Sequence, residues 1–82
     1  SDLLFADRFQ SMTGLSPARY LAELRMRLAS QWIEHERQPI DVIAQRLGYA
    51  SQAAFSRAFK RITGQSPGMV RHAAGSRRAA AE

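Results

Sequence analysis

The sequence predicts an all-α fold built from short amphipathic helices. Two neighbouring stretches carry apolar residues at helical spacing, one from Ile40 to Leu47 and one after Gly48. In the second stretch the apolar stripe consists of Phe55, Ala58, Phe59 and Ile62. The chain has 82 residues and no cysteine, so packing of these helices must supply its stability.

The two stretches together predict a helix-turn-helix. Asp41 is expected to cap the N-terminus of the first helix, and Gly48 provides the positive φ that a sharp turn between helices needs. Ser51 is expected to cap the second helix, which spans 51–61. Its outward side carries Ala53, Arg57, Lys60 and Arg61. Since a helix of this kind commonly enters the major groove, the pattern favours DNA binding.

Positive charge is concentrated in the second half of the chain. Residues 1–41 hold five basic and six acidic side chains, whereas residues 42–82 hold seven basic and one acidic side chain. A one-sided positive field favours binding to the phosphate backbone of nucleic acid, because each neutralised phosphate releases counterions.

An internal repeat relates the start of the chain to the helix-turn-helix at an offset of fifty residues. The residues Ser1, Phe5, Phe9, Thr13, Gly14, Ser16 and Pro17 match Ser51, Phe55, Phe59, Thr63, Gly64, Ser66 and Pro67. Each copy predicts a helix, a Thr-Gly stop and a Ser-Pro start of the next helix. The first copy has no counterpart of the helix at 40–47. We therefore expect the chain to be a fragment whose first apolar stripe is short of a covering surface.

A longer helix is predicted to connect the two copies, from Pro17 to about His35. Its expected buried stripe is Leu21, Leu24, Leu28 and Trp32, reinforced by Tyr20, Ala29 and Ile33, with Trp32 as a core anchor. The predicted organisation is a first unit at 1–16, a linker helix at 17–35, the helix-turn-helix at 39–73 and a flexible tail at 74–82. The last helix is expected to end near Ala73.

The second half resembles the C-terminal DNA-binding domain of AraC/XylS-type bacterial transcription regulators. The resemblance rests on Ile40, Ile43, Ala44, Gly48, Tyr49, Ser51, the run 55–61, Gly64, Ser66, Pro67 and Arg71. It implies a double helix-turn-helix of seven helices joined by a long linker helix, with the first two helices missing here. Residues 1–16 then resemble the end of the first helix-turn-helix.

The resemblance also implies which residues meet DNA. In the second recognition helix the implied base-facing residues are Gln52, Ala53, Ala54 and Arg57. The implied phosphate-binding residues are Ser51, Lys60, Arg61 and Arg71. In the first helix the matching positions are Leu3, Ala6 and Asp7, and Asp7 departs from the arginine that the family often has there. An acidic side chain at that position repels phosphate, although it can accept from cytosine.

The implied partner is double-stranded DNA, with RNA polymerase and an effector ligand of a missing upstream domain as further partners of an activator-type regulator. The sequence predicts a cytoplasmic location, no membrane span, no cofactor and no metal. The exposed first stripe predicts self-association through Leu3, Leu4, Phe5 and Phe9.

Three other functions are alternatives to binding of double-stranded DNA. A protein-interaction module that has lost DNA binding is suggested by Asp7, Ala53 and Ala54. An enzyme is disfavoured, because His35 and His72 form no nucleophile-base or metal-ligand spacing with other residues. Binding of single strands or RNA is disfavoured, because no outward aromatic residues alternate with the basic ones.

Overall fold

The computed structural model describes residues 2–81, which form five α-helices and one π-helical turn. The elements in chain order are α1 (Asp2–Thr13), α2 (Pro17–Gln31), the π turn (Trp32–Glu36), α3 (Ile40–Arg46), α4 (Gln52–Thr63) and α5 (Pro67–Ala81). This confirms the predicted all-α class. Ser1, the first residue of the predicted repeat, and Glu82, the last residue of the predicted tail, lie outside the described residues.

The repeat is present in the local structure of α1 and α4, which have the same length of 12 residues. Both helices end at a left-handed glycine, Gly14 with φ 78° and Gly64 with φ 83°. The amide of each glycine donates to the carbonyl four residues earlier, at 2.7 Å and 2.9 Å respectively. The next helix in each copy is capped by a serine hydroxyl, Ser16 or Ser66. Helix ends depend on nearby residues, so the two copies fold alike locally.

Burial differs sharply between the two copies. Phe55 and Phe59 are fully buried, whereas Phe5 is 60% exposed and Met12 is 87% exposed. The core lies between the second half of α2, the π turn, α3, α4 and the start of α5. Among residues 2–81, the first apolar stripe therefore lacks the cover that the second stripe has, as the sequence predicts.

The linker helix packs only partly as predicted. Ala29 and Ile33 are buried as expected, together with Met26, against the second unit, which consists of α3, α4 and the start of α5. The predicted leucines are instead 40–50% exposed, and Tyr20 is 39% exposed. The prediction for Leu21, Leu24 and Leu28 is therefore wrong, although Trp32 is a core residue as expected. The two stripes lie roughly a third of a turn apart on the helix. Spacing alone shows that both stripes exist, but it does not show which one the neighbouring helices cover.

The last helix is longer than the sequence predicts. α5 continues to Ala81, with Ala74 buried and Arg78 hydrogen-bonded to the carbonyl of Glu34 at 2.8 Å. The predicted end near Ala73 is wrong, and residues 74–81 of the predicted tail are helical. The small residues of this stretch do not predict a buried stripe. In the structure Ala74 is nevertheless buried, and the Arg78 hydrogen bond joins α5 to the π turn.

Candidate nucleic-acid interface

The turn between α3 and α4 is built by the backbone of Gly48. Its φ of 85° is left-handed, and a Cβ at this position would meet no atom within 4 Å. The amide of Gly48 donates to Gln45 O at 3.0 Å, and the amide of Tyr49 donates to Ala44 O at 3.0 Å. This pair of bonds is a Schellman motif, which satisfies the carbonyls at the end of α3. Glycine is needed here for its φ and not for space.

The start of α3 differs from the prediction. Pro39 occupies the N-cap position, no side chain caps the helix, and Asp41 lies within the first turn. The prediction of Asp41 as N-cap is wrong because the helix begins at Ile40, two residues before the Val42 start that an Asp41 cap requires. In the first turn a carboxylate still interacts favourably with the helix dipole.

The start of α4 agrees with the prediction. The Ser51 hydroxyl accepts a hydrogen bond from the amide of Ala54 at 3.1 Å, which is the N-cap interaction expected from the sequence. Tyr49 packs edge-on against Phe55, with ring centroids 5.5 Å apart. The Ser51 cap and the packing of Tyr49 on Phe55 therefore fix the turn and the first residues of α4.

The buried side of α4 consists of Phe55, Ala58 and Phe59. Of the implied base-facing residues, Ala53 and Arg57 lie on the opposite, exposed side. Gln52 is exposed because it begins the helix, and Ala54 is half-buried. The small side chains of the first turn leave the backbone of α4 accessible to a groove.

Three cations lie together on the exposed side of α4. All three are exposed, and Lys60 and Arg61 follow Arg57 by three and four residues, which places each of them beside Arg57 on the helix surface. Within residues 2–81 the structure records no ion pair for any of them. Their charges are therefore available to an anionic partner.

The first helix presents a different surface at the matching positions. Leu3 and Asp7 are exposed and Ala6 is half-buried, so the three residues are accessible as predicted. However, α1 carries two acidic and one basic residue, a charge of −1, whereas α4 carries three basic residues, a charge of +3. The repeat therefore preserves the helix and not its charge.

Arg71 has a partner that the sequence does not predict. It is half-buried, and its Nη2 donates to the backbone carbonyl of Gln38 in the connection before α3. Its Nε is buried, with no hydrogen-bond partner among the described residues. The phosphate contact that the resemblance implies for Arg71 stays a prediction, and at least one of its nitrogens serves the fold.

Two further residues at this connection were missed by the sequence reasoning. Arg46 places its guanidinium over the Trp32 ring, 3.9 Å from the centroid, and donates to Gln38 Oε1 at 2.6 Å. No spacing or motif identifies Gln38, because its contacts depend on how the helices meet.

Residues 2–81 hold no group of three or more histidine, cysteine or carboxylate side chains that could bind a metal ion. No helix in this range is both long and apolar enough to cross a membrane.

Comparison with known proteins agrees with the geometry of α3 and α4. A family model described as a helix-turn-helix domain matches residues 3–73. The RCS-specific HTH-type transcriptional activator RclR of Escherichia coli K12 is 40% identical over 67 residues, which are 82% of this chain and 24% of that protein. The transcriptional regulator AlkR of Acinetobacter baylyi is 46% identical over 63 residues, covering 77% of this chain and 21% of AlkR.

A protein of Streptomyces antibioticus named as an AraC-like transcription regulator is 38% identical over 66 residues, which are 80% of this chain and 22% of that protein. The chain thus spans about a quarter of the length of these relatives. The family match covers both repeat copies, the linker helix and most of the second unit. The chain belongs to the helix-turn-helix family of AraC-like transcription regulators.

Proposed function

We propose that this chain binds double-stranded DNA with α4 in the major groove, as the DNA-binding part of a bacterial transcription regulator. One observation carries the proposal: α4 buries Phe55 and Phe59 on one side and exposes on the other three cations that have no ion pair within residues 2–81. A helix held this firmly by the core keeps its charged side in one orientation. The major groove of B-DNA is wide enough to admit such a helix.

The base-reading residues in this proposal lie near the start of α4. Arg57 offers a bidentate contact to guanine O6 and N7, and Gln52 offers the equivalent contact to adenine. Ala53 is exposed and can meet a thymine methyl group, whereas the half-buried Ala54 has less surface to offer.

Phosphate contacts in this proposal come from the helix start and from the later cations. The Ser51 hydroxyl accepts from Ala54 and still has its own hydrogen to donate to a phosphate oxygen. Lys60 and Arg61, one turn beyond Arg57, are placed to neutralise the backbone beside the groove. Such contacts position the protein without reading sequence.

The first helix contributes less in this proposal. Leu3 and Ala6 offer only apolar surface, and the carboxylate of Asp7 stands where α4 has Arg57. We propose that α1 contacts the groove mainly through the shape of the DNA and reads few bases. The second unit then supplies most of the electrostatic affinity.

A titration with labelled random-sequence duplex tests the proposal. We expect measurable affinity at low salt and a steep loss at high salt, because phosphate binding releases counterions. Selection from a random duplex pool should then yield a shared sequence. A chain that binds no duplex under either condition is instead a protein-interaction module built on the same fold.

Lys60→Ala should reduce affinity on every duplex to a similar extent. Loss of one phosphate contact lowers the slope of log K against log salt by about 0.9. The matched control is Arg77→Ala, which removes one charge from an exposed side chain of α5. The measurement is the salt dependence of binding for parent and both variants, and an unchanged slope in Lys60→Ala excludes this lysine from the interface.

Functions of the whole protein are part of the same proposal, since the chain spans only about a quarter of its relatives. We place effector binding and contact with RNA polymerase in the complete regulator. A regulator that acts on chromosomal DNA works in the bacterial cytoplasm.

The exposed apolar stripe of the first unit supports a proposal about association. Leu3 is 80% exposed and Leu4 is 51% exposed, while Phe9 is half-buried against Phe5 and Tyr20. Exposed apolar patches of this kind favour contacts with another apolar surface. We infer that chains of this length either associate through this stripe or open first in the first unit.

Sedimentation and amide exchange test this inference together. The sedimentation coefficient should rise with concentration, and Leu3→Glu should reduce the rise because a charge opposes burial of the stripe. Met69→Glu, on an exposed side chain of α5, is the matched control. If the first unit instead opens before the second, the Phe9 amide should exchange with solvent faster than the Phe59 amide. Equal protection of both amides in a monomeric sample contradicts the inference.

A further inference from the structure

Three hydrogen bonds meet at Gln38, in the short connection between the π turn and α3. Its Oε1 accepts from Arg46 Nη1 at 2.6 Å, and its Nε2 donates to Glu36 Oε2 at 2.5 Å. Its backbone carbonyl accepts from Arg71 Nη2. One residue is therefore bonded to α3, to α5 and to the end of the linker helix.

The backbone at this connection is in an unusual conformation. Arg37 has a φ of 55° and is the only non-glycine residue with positive φ in residues 2–81. A non-glycine residue in this region is mildly strained and persists when its surroundings hold it in place. The Arg37 amide donates to Trp32 O, and the Gln38 amide donates to the same carbonyl at 3.4 Å.

Helix α5 holds the connection from the other side with two arginines. Arg71 bonds to Gln38 O, and Arg78, seven residues later on the same face, bonds to Glu34 O at 2.8 Å. Both acceptors lie where the linker helix ends, and cations are favourable beside the C-terminal carbonyls of a helix. The Nε atoms of both arginines are buried, so these side chains are embedded between the helices and not merely laid on the surface.

We propose that Gln38 is a positioning residue, which fixes the direction of the helix-turn-helix relative to the linker helix through Arg46 and Arg71. The effect of Gln38 on DNA binding rests on the proposed function, because the direction of α4 matters only if α4 enters a groove. Without these bonds the angle between the two parts is set by the backbone of residues 37–38, by the core packing of the linker helix and by the Arg78 bond to Glu34 O.

The absence of cysteine makes the angle measurable with introduced spin labels. One label at Ala18 on α2 and one at Ala53 on α4, both exposed, report the angle between the linker helix and the helix-turn-helix. A second pair at Asp41 and Arg61 reports only on packing of α3 against α4. We expect a single narrow distance distribution for both pairs in the parent chain without DNA.

Gln38→Ala and Arg71→Met should each broaden the distribution for the 18–53 pair and leave the 41–61 pair narrow. Arg77→Met removes the same charge from α5 and, with it, the exposed 4.0 Å ion pair of Arg77 with the Glu34 side chain, but no hydrogen bond to the connection. It should therefore leave both pairs as in the parent. Gln38→Glu keeps an oxygen for Arg46 and the backbone carbonyl for Arg71, but it replaces the Nε2 donor to Glu36 by a second carboxylate. The conservative control is therefore Gln38→Glu combined with Glu36→Gln, which restores a donor and an acceptor at this contact and should stay close to the parent. Parent-like 18–53 distributions in both Gln38→Ala and Arg71→Met overturn the proposal.

Two further outcomes separate this proposal from simpler ones. If both variants also broaden the 41–61 pair or lose helical circular dichroism, the bonds support folding as a whole and the positioning role is rejected. If Arg71→Met lowers the salt slope of DNA binding relative to Arg77→Met while its 18–53 distribution stays as in the parent, Arg71 acts through phosphate alone, and its part in the proposal is rejected. A parent chain that binds no DNA refutes the proposed function and leaves the distance measurement intact.

Discussion

Phe55→Ala and Phe59→Ala are each expected to lower the free energy of unfolding by about 3–5 kcal/mol. Both side chains are fully buried, and their rings lie 5.6 Å apart at the centre of the core. Removing either ring leaves a cavity that the surrounding helices fill only in part. The loss is a large share of the ~5–15 kcal/mol that a domain typically has. Chemical denaturation followed by circular dichroism gives the measurement.

The repeat supplies a matched control for this experiment. Phe5 stands at the position of Phe55, in a helix of equal length, and its ring lies 5.8 Å from that of Phe9. Because Phe5 is 60% exposed, Phe5→Ala should change the unfolding free energy by roughly 0.5 kcal/mol or less. Similar losses in Phe5→Ala and Phe55→Ala would show that the first stripe is covered in solution.

Arg57→Ala is expected to weaken binding to the selected DNA sequence by about 1–3 kcal/mol, while binding to random duplex changes much less. A base-edge contact contributes to discrimination between sequences, whereas a phosphate contact contributes to all of them. The measurement is the ratio of the two dissociation constants at one fixed salt concentration. Arg57 is exposed and makes no recorded ion pair within residues 2–81, so its removal should leave the fold unchanged.

Arg77→Ala serves as the control for this prediction as well. It removes a charge of the same kind from an exposed position of α5, outside the proposed reading helix. We expect its selectivity ratio to equal that of the parent. An equal loss on specific and random DNA in Arg57→Ala would instead assign Arg57 to the phosphate backbone.

Local features of the fold could be predicted from the sequence. The N-cap at Ser51 and the left-handed glycines at 48 and 64 follow from residue chemistry within one turn of the chain, and the structure shows all three. The buried stripe of α4 also follows from spacing, because one helix face has Phe55 and Phe59 and the other has cations.

Features that depend on how helices meet could not be predicted in the same way. The linker helix has two apolar stripes, and only the positions of α4 and α5 decide that Met26 and Ala29 are buried while Leu24 is exposed. Gln38 has no sequence signal, since its partners come from α3 and α5. The candidate DNA-facing residues lie between these cases: their exposure follows from the helix pattern, and their contacts depend on a partner that only experiment can supply.

The contact between Arg46 and Trp32 has an optical consequence. Trp32 is the only tryptophan of the chain, and its ring lies under a guanidinium that is itself hydrogen-bonded to Gln38. Fluorescence excited selectively in tryptophan therefore originates at the joint between the linker helix and the helix-turn-helix, away from the outer side of α4. A change in emission on adding duplex DNA reports a rearrangement of that joint, and the unlabelled natural sequence is sufficient to observe it.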